Sequence, residues 1–347
     1  MRKIVVLVII FGIWSCKSDQ NQIEQVTSFK GQQVTGVTVS DKGRIFANFP
    51  RWRENVKNSV VEVLDDKKST AYPNKKWNSW KLGTAISDSV FVAVQSVVAF
   101  ENIVYVLDTR NPLFKGVLDN PRVFAFDLST NQLIKTYILS EDSFLKDSYI
   151  NDLRVDKKKG KIYLTDSGHA GLVVVDINSG DSFRVLNNHT STLAETNHLT
   201  FKNSIWENTV HSDGIALDTK NDVLYFHALT GYNLYAISTE FLIKGNNTEI
   251  EKNVKHIAKT TAPDGMIFDQ SGLLFLADLE NNKIMKFNIS NGKISVFAEG
   301  EKIKWADTFS IYNDELYYTN SRINEVKGDI SNMEFTIHKM SIIEAKK

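Results

Sequence analysis

The chain repeats one short pattern six times: a polar residue, a short apolar strand, a turn, and a second strand that carries an aromatic residue. The clearest copy lies between His211 and Leu229. Successive copies stand about 40 to 60 residues apart, the repeat length of a propeller blade built from several short strands. The aromatic residues, here called the aromatic markers, are Phe46, Tyr105, Tyr163, Tyr225, Phe275 and Tyr317. We therefore predict an all-β fold, a six-bladed β-propeller.

The sixth repeat is incomplete, because it offers only three strands before the chain ends. A spare strand is predicted near residues 26–29, ahead of the first repeat. If this N-terminal strand joins the last blade, the ring closes and two sheet edges are hidden at once. The expected organisation is a signal peptide at 1–15, a lipidated tether and closing strand at 16–33, and a propeller at 34–347.

The charge balance limits the possible partners. The chain has 41 basic and 41 acidic residues, so its formal net charge is zero. A chain without a basic excess has no general attraction for nucleic acid. We expect a monomer whose partner is a small molecule rather than a nucleic acid.

The N-terminus predicts export. Arg2 and Lys3 precede an apolar run at 4–13, which is too short for a membrane anchor and is typical of a secretory signal. Cys16 is the only cysteine and directly follows Ser15, and this stretch resembles the cleavage box of bacterial lipoproteins. We expect lipidation of Cys16 and an extracytoplasmic protein held on a membrane. The alternative is an ordinary secreted protein.

Polar residues recur just before the predicted first strands, where a propeller's channel opens. They are Thr35, Gln95, Asn151, Asp213, Asp264 and Asp307, here called the inner ring. Three residues after the aromatic markers stand Phe49, Asp108, Asp166, Ala228, Asp278 and Asn320, the outer ring. Converging oxygens suit a hard cation, so Asp213, Asp264 and Asp307 are candidate ligands of a divalent cation such as Ca²⁺. The alternative is structural, because Asp-Gly pairs are common in turns. Carboxylates held close also raise each other's pKa unless a cation or a cationic ligand lies between them.

Several of these segments resemble the yellow and major royal jelly protein family. They include Phe49-Pro50-Arg51-Trp52, Ile150-Asn151-Asp152-Leu153, Ser212-Asp213-Gly214-Ile215 and Asp307-Thr308-Phe309, and the likeness covers nearly all of 31–322. The resemblance implies a six-bladed propeller, with insect members linked to dopachrome conversion and to binding of biogenic amines or sterols. We expect a small molecule at the channel mouth, with isomerase activity as one option. The expected ligand contacts are Gln95, Asn151, Arg51, Trp52 and Asp108, and the candidate catalytic residues are Asp213 and Asp264.

A more distant likeness is to gluconolactonase-type propellers, which hold a divalent metal at the channel mouth. It implies that Asn151 contacts substrate and that Asp213 and Asp264 bind metal, although Thr35 replaces the first-blade glutamate. Two further functions therefore remain open, a metal-dependent lactonase and a non-catalytic binder of an aromatic amine. The long segment 187–210, between blades three and four, is predicted to cross the binding face as a lid.

Overall fold

The computed structural model describes residues 23–243 and 246–343, which form six four-stranded antiparallel sheets arranged as a β-propeller. The predicted fold class and blade number are therefore confirmed. The predicted signal peptide at 1–15 and the predicted lipidation site at Cys16 lie outside the described residues. Within the described part of the chain, no helix is long and apolar enough to cross a membrane.

The strands follow the repeat order. β1 (Glu24–Lys30) precedes the blades. Blade one contains β2 (Gly36–Val39), β3 (Ile45–Asn48), β4 (Val60–Val63) and β5 (Ser69–Ala71). Blade two contains β6 (Val94–Phe100), β7 (Ile103–Asp108), β8 (Arg122–Asp127) and β9 (Leu133–Ile138). Blade three contains β10 (Ile150–Asp156), β11 (Lys161–Asp166), β12 (Gly171–Asp176) and β13 (Ser182–Val185).

A two-stranded hairpin of β14 (His198–Phe201) and β15 (Ser204–Glu207) separates blades three and four. Blade four contains β16 (Ser212–Asp218), β17 (Val223–Ala228), β18 (Asn233–Ser238) and β19 (Lys255–Lys259). Blade five contains β20 (Met266–Phe268), β21 (Leu273–Asp278), β22 (Lys283–Asn288) and β23 (Lys293–Glu299). Blade six contains β24 (Ala306–Tyr312), β25 (Glu315–Asn320) and β26 (Glu334–Ser341), with β1 as its fourth strand.

Some elements are absent from the predicted pattern. The pattern predicts three strands for blade one, and the structure adds β5. Two short helices, α1 (Thr239–Ile243) and α2 (Asn247–Asn253), connect β18 to β19. Single 3-10 turns lie at Pro112–Phe114, Glu141–Ser143 and Ile323–Glu325. The helices and the 3-10 turns lie in connections between strands, where the repeat carries no periodic signal.

The core lies between neighbouring blades. All six aromatic markers are buried, as expected for side chains repeated at the same position of each blade. Phe46 of blade one packs in one cluster with Phe124 and Phe126 of blade two, so one apolar layer joins the two sheets. Burial of one such side chain stabilises the fold by about 1.5–3 kcal/mol. Because both faces of each blade are covered, the ring is built as one unit.

The ring closes as predicted from the incomplete sixth repeat. β1 pairs antiparallel with β26, and Phe29 lies opposite Phe335. Next to this joint, the Gln33 side-chain amide donates a hydrogen bond to the carbonyl of Ser321 at 2.7 Å. The N-terminal strand therefore covers the edge that β26 would otherwise expose.

Register shifts mark the mouth of the channel. In four blades the pairing of the first and second strands is interrupted, between Val94 and Ser96, Ile150 and Leu153, Ser212 and Ile215, and Ala306 and Phe309. These shifts enclose Gln95, Asn151, Asp213 and Asp307. The four residues were predicted to precede the first strands, and that prediction is wrong, because they lie inside the strands at bulges. A bulge redirects side chains locally, which explains how one polar residue in each of these blades departs from the regular alternation of side chains along the strand.

Candidate functional site

A cavity of about 570 Å³ occupies the mouth of the channel. Five of the six inner-ring residues line it, namely Gln95, Asn151, Asp213, Asp264 and Asp307. The sixth, Thr35, is buried beside it and accepts a hydrogen bond from Asn48 Nδ2. The structure therefore brings together side chains that are far apart in sequence, in the region where the repeat predicts a site.

Two glycines allow the three aspartates to converge. A Cβ atom on Gly214 would lie 2.9 Å from the carbonyl oxygen of Asp264, and one on Gly265 would lie 2.9 Å from that of Asp307. Since real Cβ atoms do not approach so closely, any larger residue would force adjacent blades apart. The Asp-Gly pairs thus serve close packing between blades rather than a simple turn.

The three aspartates form a buried acidic cluster. Asp213, Asp264 and Asp307 are 5%, 8% and 9% exposed, and Asp213 is hydrogen-bonded to Asp264. Burial, reinforced by neighbouring carboxyl groups, raises the pKa of Asp213 and Asp307 well above the usual aspartate value. Burial likewise raises the pKa of Asp264 to about 8. Within 23–243 and 246–343, no lysine or arginine forms an ion pair with any of the three. Burial and mutual repulsion therefore favour the protonated forms of all three carboxyl groups, and the pKa of about 8 keeps Asp264 mostly protonated at neutral pH.

A directed chain of hydrogen bonds leads to this cluster. The Trp52 indole N–H donates to the Tyr149 hydroxyl at 2.6 Å, and that hydroxyl donates to Gln95 Oε1 at 2.7 Å. Gln95 Nε2 donates to Asn151 Oδ1 at 2.8 Å, and Asn151 is hydrogen-bonded to Asp213. Because an indole can only donate, every bond in the chain points the same way. The chain thus holds Asn151 as a donor towards the Asp213 carboxyl.

A second indole fixes the other side of the cluster. The Trp305 N–H donates to Asp264 Oδ2 at 2.7 Å, and this bond favours the ionised carboxylate. The ring of Trp305 packs against Phe201 and Trp206 of the β14–β15 hairpin, with centroid distances of 5.9 and 4.9 Å. The Thr200 N–H donates to Glu280 at 2.6 Å, which ties the hairpin to blade five. The hairpin and the residues after it therefore lie at the cavity mouth, within the segment predicted to be a lid.

The outer ring has a different role. Asp108 accepts the backbone N–H groups of Val92 and Ala93 at 2.7 and 2.8 Å, and Asp166 accepts that of Tyr149 at 2.8 Å. Asn320 accepts the N–H of Lys304 in the same way. In each case a second-strand side chain holds the segment that enters the first strand. These contacts hold the backbone segments that carry the inner-ring residues.

Only some of the predicted ligand contacts therefore line the cavity. Trp52 lines the cavity together with Gln95 and Asn151. Arg51 is 3% exposed and donates from Nε to the carbonyl of Val92 at 2.8 Å, and Asp108 is fully buried. Neither Arg51 nor Asp108 lies in the cavity lining.

The sequence pattern does not identify most of the aromatic wall. Tyr149, Trp305, Phe114 and Trp206 all line the cavity, and so does Arg53, whose guanidinium donates to Gln33 Oε1 at 2.8 Å. Tyr149 and Trp305 stand two residues before Asn151 and Asp307. Both residues directly precede the first strand of their blade, and this repeated spacing ahead of the ring position is the signal that could have identified them.

The fit to a divalent cation is poor. Among the residues that the structure describes, no group of three or more His, Cys, Asp or Glu side chains is arranged to hold a metal ion. Metal binding also requires deprotonated carboxylates, whereas burial favours the protonated forms here. We derive no reaction step through a metal, and the Ca²⁺ site stays a prediction.

Solved structures share this fold at low sequence identity. A luciferin-regenerating enzyme superposes with a TM-score of 0.59 and 11% identity, covering 92% of this chain and 95% of its own. A gluconolactonase from Xanthomonas campestris gives a TM-score of 0.59 and 11% identity over 93% of this chain and 90% of its own. Identities this low establish a common propeller fold only.

The sequence comparisons are more specific. Major royal jelly protein 6 of Apis mellifera is 24% identical over 251 residues, which cover 67% of this chain and 55% of that protein. Protein yellow of Drosophila erecta is 24% identical over 229 residues, 59% of this chain and 41% of that protein. The chain thus spans about half the length of the curated relatives it matches. The sequence profile described as Major royal jelly protein matches residues 97–347, and the chain belongs to that family.

Proposed function

We propose that this protein binds a small molecule carrying a protonated amine and an aromatic ring in the cavity at the channel mouth. One observation supports this most strongly: three buried carboxyl groups without a basic partner face a cavity walled by Trp52, Tyr149 and other aromatic rings. The family relationship agrees with a small-molecule site but does not specify its ligand.

The chemistry of the cluster favours a cationic ligand. A positive charge beside Asp213 and Asp264 lowers their pKa values, so ligand binding drives loss of a proton and forms an ion pair. Because this pair is shielded from water, its attraction is stronger than that of a surface pair. The aromatic walls add ring stacking and contacts between the ammonium group and π faces.

Two matched ligands test this proposal. Tyramine and 4-ethylphenol share a phenol ring and a two-carbon arm, and only tyramine has the amine. Binding can be followed by tryptophan fluorescence, since Trp52, Trp206 and Trp305 line the cavity. We expect tyramine to bind more tightly than 4-ethylphenol. We expect Asp213→Asn to weaken tyramine by at least about tenfold, because it removes the Asp213 carboxyl group that donates a hydrogen bond to the Asp264 carboxylate facing the ammonium.

The control variant is Asp181→Asn, at an exposed aspartate remote from the cavity. It should leave both affinities unchanged. Equal binding of the two ligands, or full tyramine affinity in Asp213→Asn, would show that the cluster does not recognise an amine.

A second candidate function is tautomerisation, and the hydrogen bond between Asp213 and Asp264 favours it. In this pair Asp213 keeps the proton, and Asp264 accepts the hydrogen bond and can ionise first. An ionised Asp264 could remove a proton from a bound substrate while Asp213 donates its own proton elsewhere on the same molecule. No net proton is consumed, as an isomerisation requires. Loss of the visible absorbance of dopachrome, compared in the parent and in Asp264→Asn, measures this activity.

The proposed location is extracytoplasmic, on a membrane through a lipid at Cys16. Its support is the N-terminal sequence alone, a short apolar run followed by Ser15-Cys16.

A further inference from the structure

We propose that the ligand site continues past Phe114 into a second cavity, and that the ligand is elongated, with an amine at one end and an anionic group at the other. This inference rests on the proposed function and adds the identity of the distal group. Three observations support it. The two cavities share a wall, the backbone of that wall has an unfavourable conformation, and the residues on its two sides carry opposite charges.

The second cavity measures about 420 Å³ and is lined by Asn111, Phe114, Lys115, Gly116, Lys146, Asp147, Tyr149 and Gly168. Phe114, Tyr149 and Gly168 also line the central cavity. The rings of Phe114 and Tyr149 lie 4.8 Å apart between centroids, and Phe114 also stacks on Trp52 at 5.9 Å. A thin aromatic partition therefore separates the two spaces.

The partition is built on unfavourable backbone. Leu113 and Phe114 have φ values of 59° and 55°, a left-handed region that side chains with a Cβ rarely adopt. Phe114 is also 59% exposed, so its ring is only partly held by packing. Backbone strain of this kind persists at ligand sites because the surrounding structure enforces it. Because Phe114 lines both cavities, displacement of its exposed ring would join them, which suits a residue that moves when a long ligand enters.

The far side of the partition is positively charged. Lys115 is exposed, and neither Lys115 nor Lys146 is ion-paired with a carboxylate in the part of the chain that the structure describes. Lys146 Nζ donates to the carbonyl of Val117 at 2.6 Å, which holds its charge beside the loop. The one carboxylate here, Asp147, lies 3.3 Å from His169. An anionic group such as a sulfate, phosphate or carboxylate would therefore be attracted to this side, while the amine stays at the acidic cluster.

Tyramine and tyramine O-sulfate provide the test, because the sulfate lies at the end of the molecule opposite the amine. We expect Lys115→Glu to weaken tyramine O-sulfate by about fivefold or more, since it reverses a charge facing the sulfate, and to leave tyramine within about twofold. The matched control is Lys220→Glu, an exposed lysine in the turn between β16 and β17 at the opposite face. It should affect neither ligand.

Phe114→Ala gives an independent result. Tyramine should bind less tightly, because the stacking surface is lost, whereas tyramine O-sulfate should bind as tightly or more tightly, because no ring must be displaced. The proposal that the second cavity binds the anionic group would be overturned if Phe114→Ala weakened both ligands equally. It would also be overturned if Lys115→Glu had no effect on binding of tyramine O-sulfate. Either result would leave the proposed amine site intact. If the parent binds neither ligand, both this inference and the proposed function are overturned.

Discussion

Replacing Asp264 by Asn should change how the stability of the protein depends on pH. Asn has nearly the same shape, and its side-chain oxygen can still accept the Trp305 N–H that now bonds to Oδ2 at 2.7 Å. It cannot ionise. The substitution therefore removes the titration of one buried carboxyl while leaving the packing of the mouth largely unchanged.

The sign of the effect follows from the pKa of Asp264, which burial raises from 3.8 to about 8. The folded protein holds this proton more tightly than the unfolded chain, so the contribution to stability is fully present below pH 3.8. It is lost as the pH rises towards 8. For one proton the slope approaches about 1.4 kcal/mol per pH unit, which accumulates to several kcal/mol as an order of magnitude. Asp176 acts in the opposite direction, since its pKa is lowered to about 2, mainly by the Lys161 hydrogen bond.

Urea unfolding of the parent and of Asp264→Asn at pH 4, 6 and 8 measures the difference directly, because contributions such as that of Asp176 cancel between the two proteins. We expect similar stabilities at pH 4 and a more stable Asp264→Asn protein at pH 8. Asp181→Asn should follow the parent at every pH. If the gap between parent and Asp264→Asn does not grow with pH, the account of the acidic cluster is wrong.

Three further predictions concern other parts of the chain. Cys16→Ser should move the protein from the membrane fraction to the soluble fraction, and unchanged fractionation would reject the lipid anchor. Removal of residues 334–347 takes away β26, which pairs with both β1 and β25, so soluble folded protein should be lost; an unchanged melting profile would contradict the ring closure. Trp305→Phe removes one hydrogen bond to the Asp264 carboxylate, so the binding free energy of tyramine should weaken by about 1.5–3 kcal/mol in titrations. An unaltered affinity would show that Trp305 does not contribute to the site.

The fold was predictable because the repeat supplies redundant information. Each aromatic marker reports the same buried position, so six weak signals support one architecture. Closure was predictable from a count, since the last blade lacked a strand and 26–29 offered one. The helices α1 and α2 were not predicted, because they occur in one blade only. β5 was not predicted, because its three residues, Ser69–Ala71, are too few and too exposed to show a period.

The site was predictable in position and only partly in chemistry. Asp213 and Asp264 could be assigned to one ring from their places in the repeat, yet the close approach at Gly214 and Gly265 depends on neighbouring blades. Asp108 has the same residue type as the ring aspartates, but it faces backbone amides instead of the cavity. Alternation along one strand could not distinguish these two environments.

The aromatic side of the cavity was the hardest part to predict. Phe114 lies in the connection between β7 and β8, outside the repeated strands, and its left-handed backbone conformation leaves no sequence signal in a residue other than glycine. Trp206 reaches the cavity through the β14–β15 hairpin, whose place over the mouth depends on contacts with Trp305 and Glu280. Such contacts between distant segments appear only once the chain is folded.

Isothermal titration of the parent with tyramine at pH 7, in two buffers with different ionisation enthalpies, tests the central claim most directly. If the buried carboxyls at Asp213, Asp264 and Asp307 hold protons that an ammonium group displaces, binding will release protons and the measured enthalpy will differ between the buffers. The same titration at pH 9, above the pKa of Asp264 at about 8, should show a smaller release and tighter binding. Identical enthalpies in both buffers at pH 7, with tyramine bound, would mean that the amine does not meet the acidic cluster.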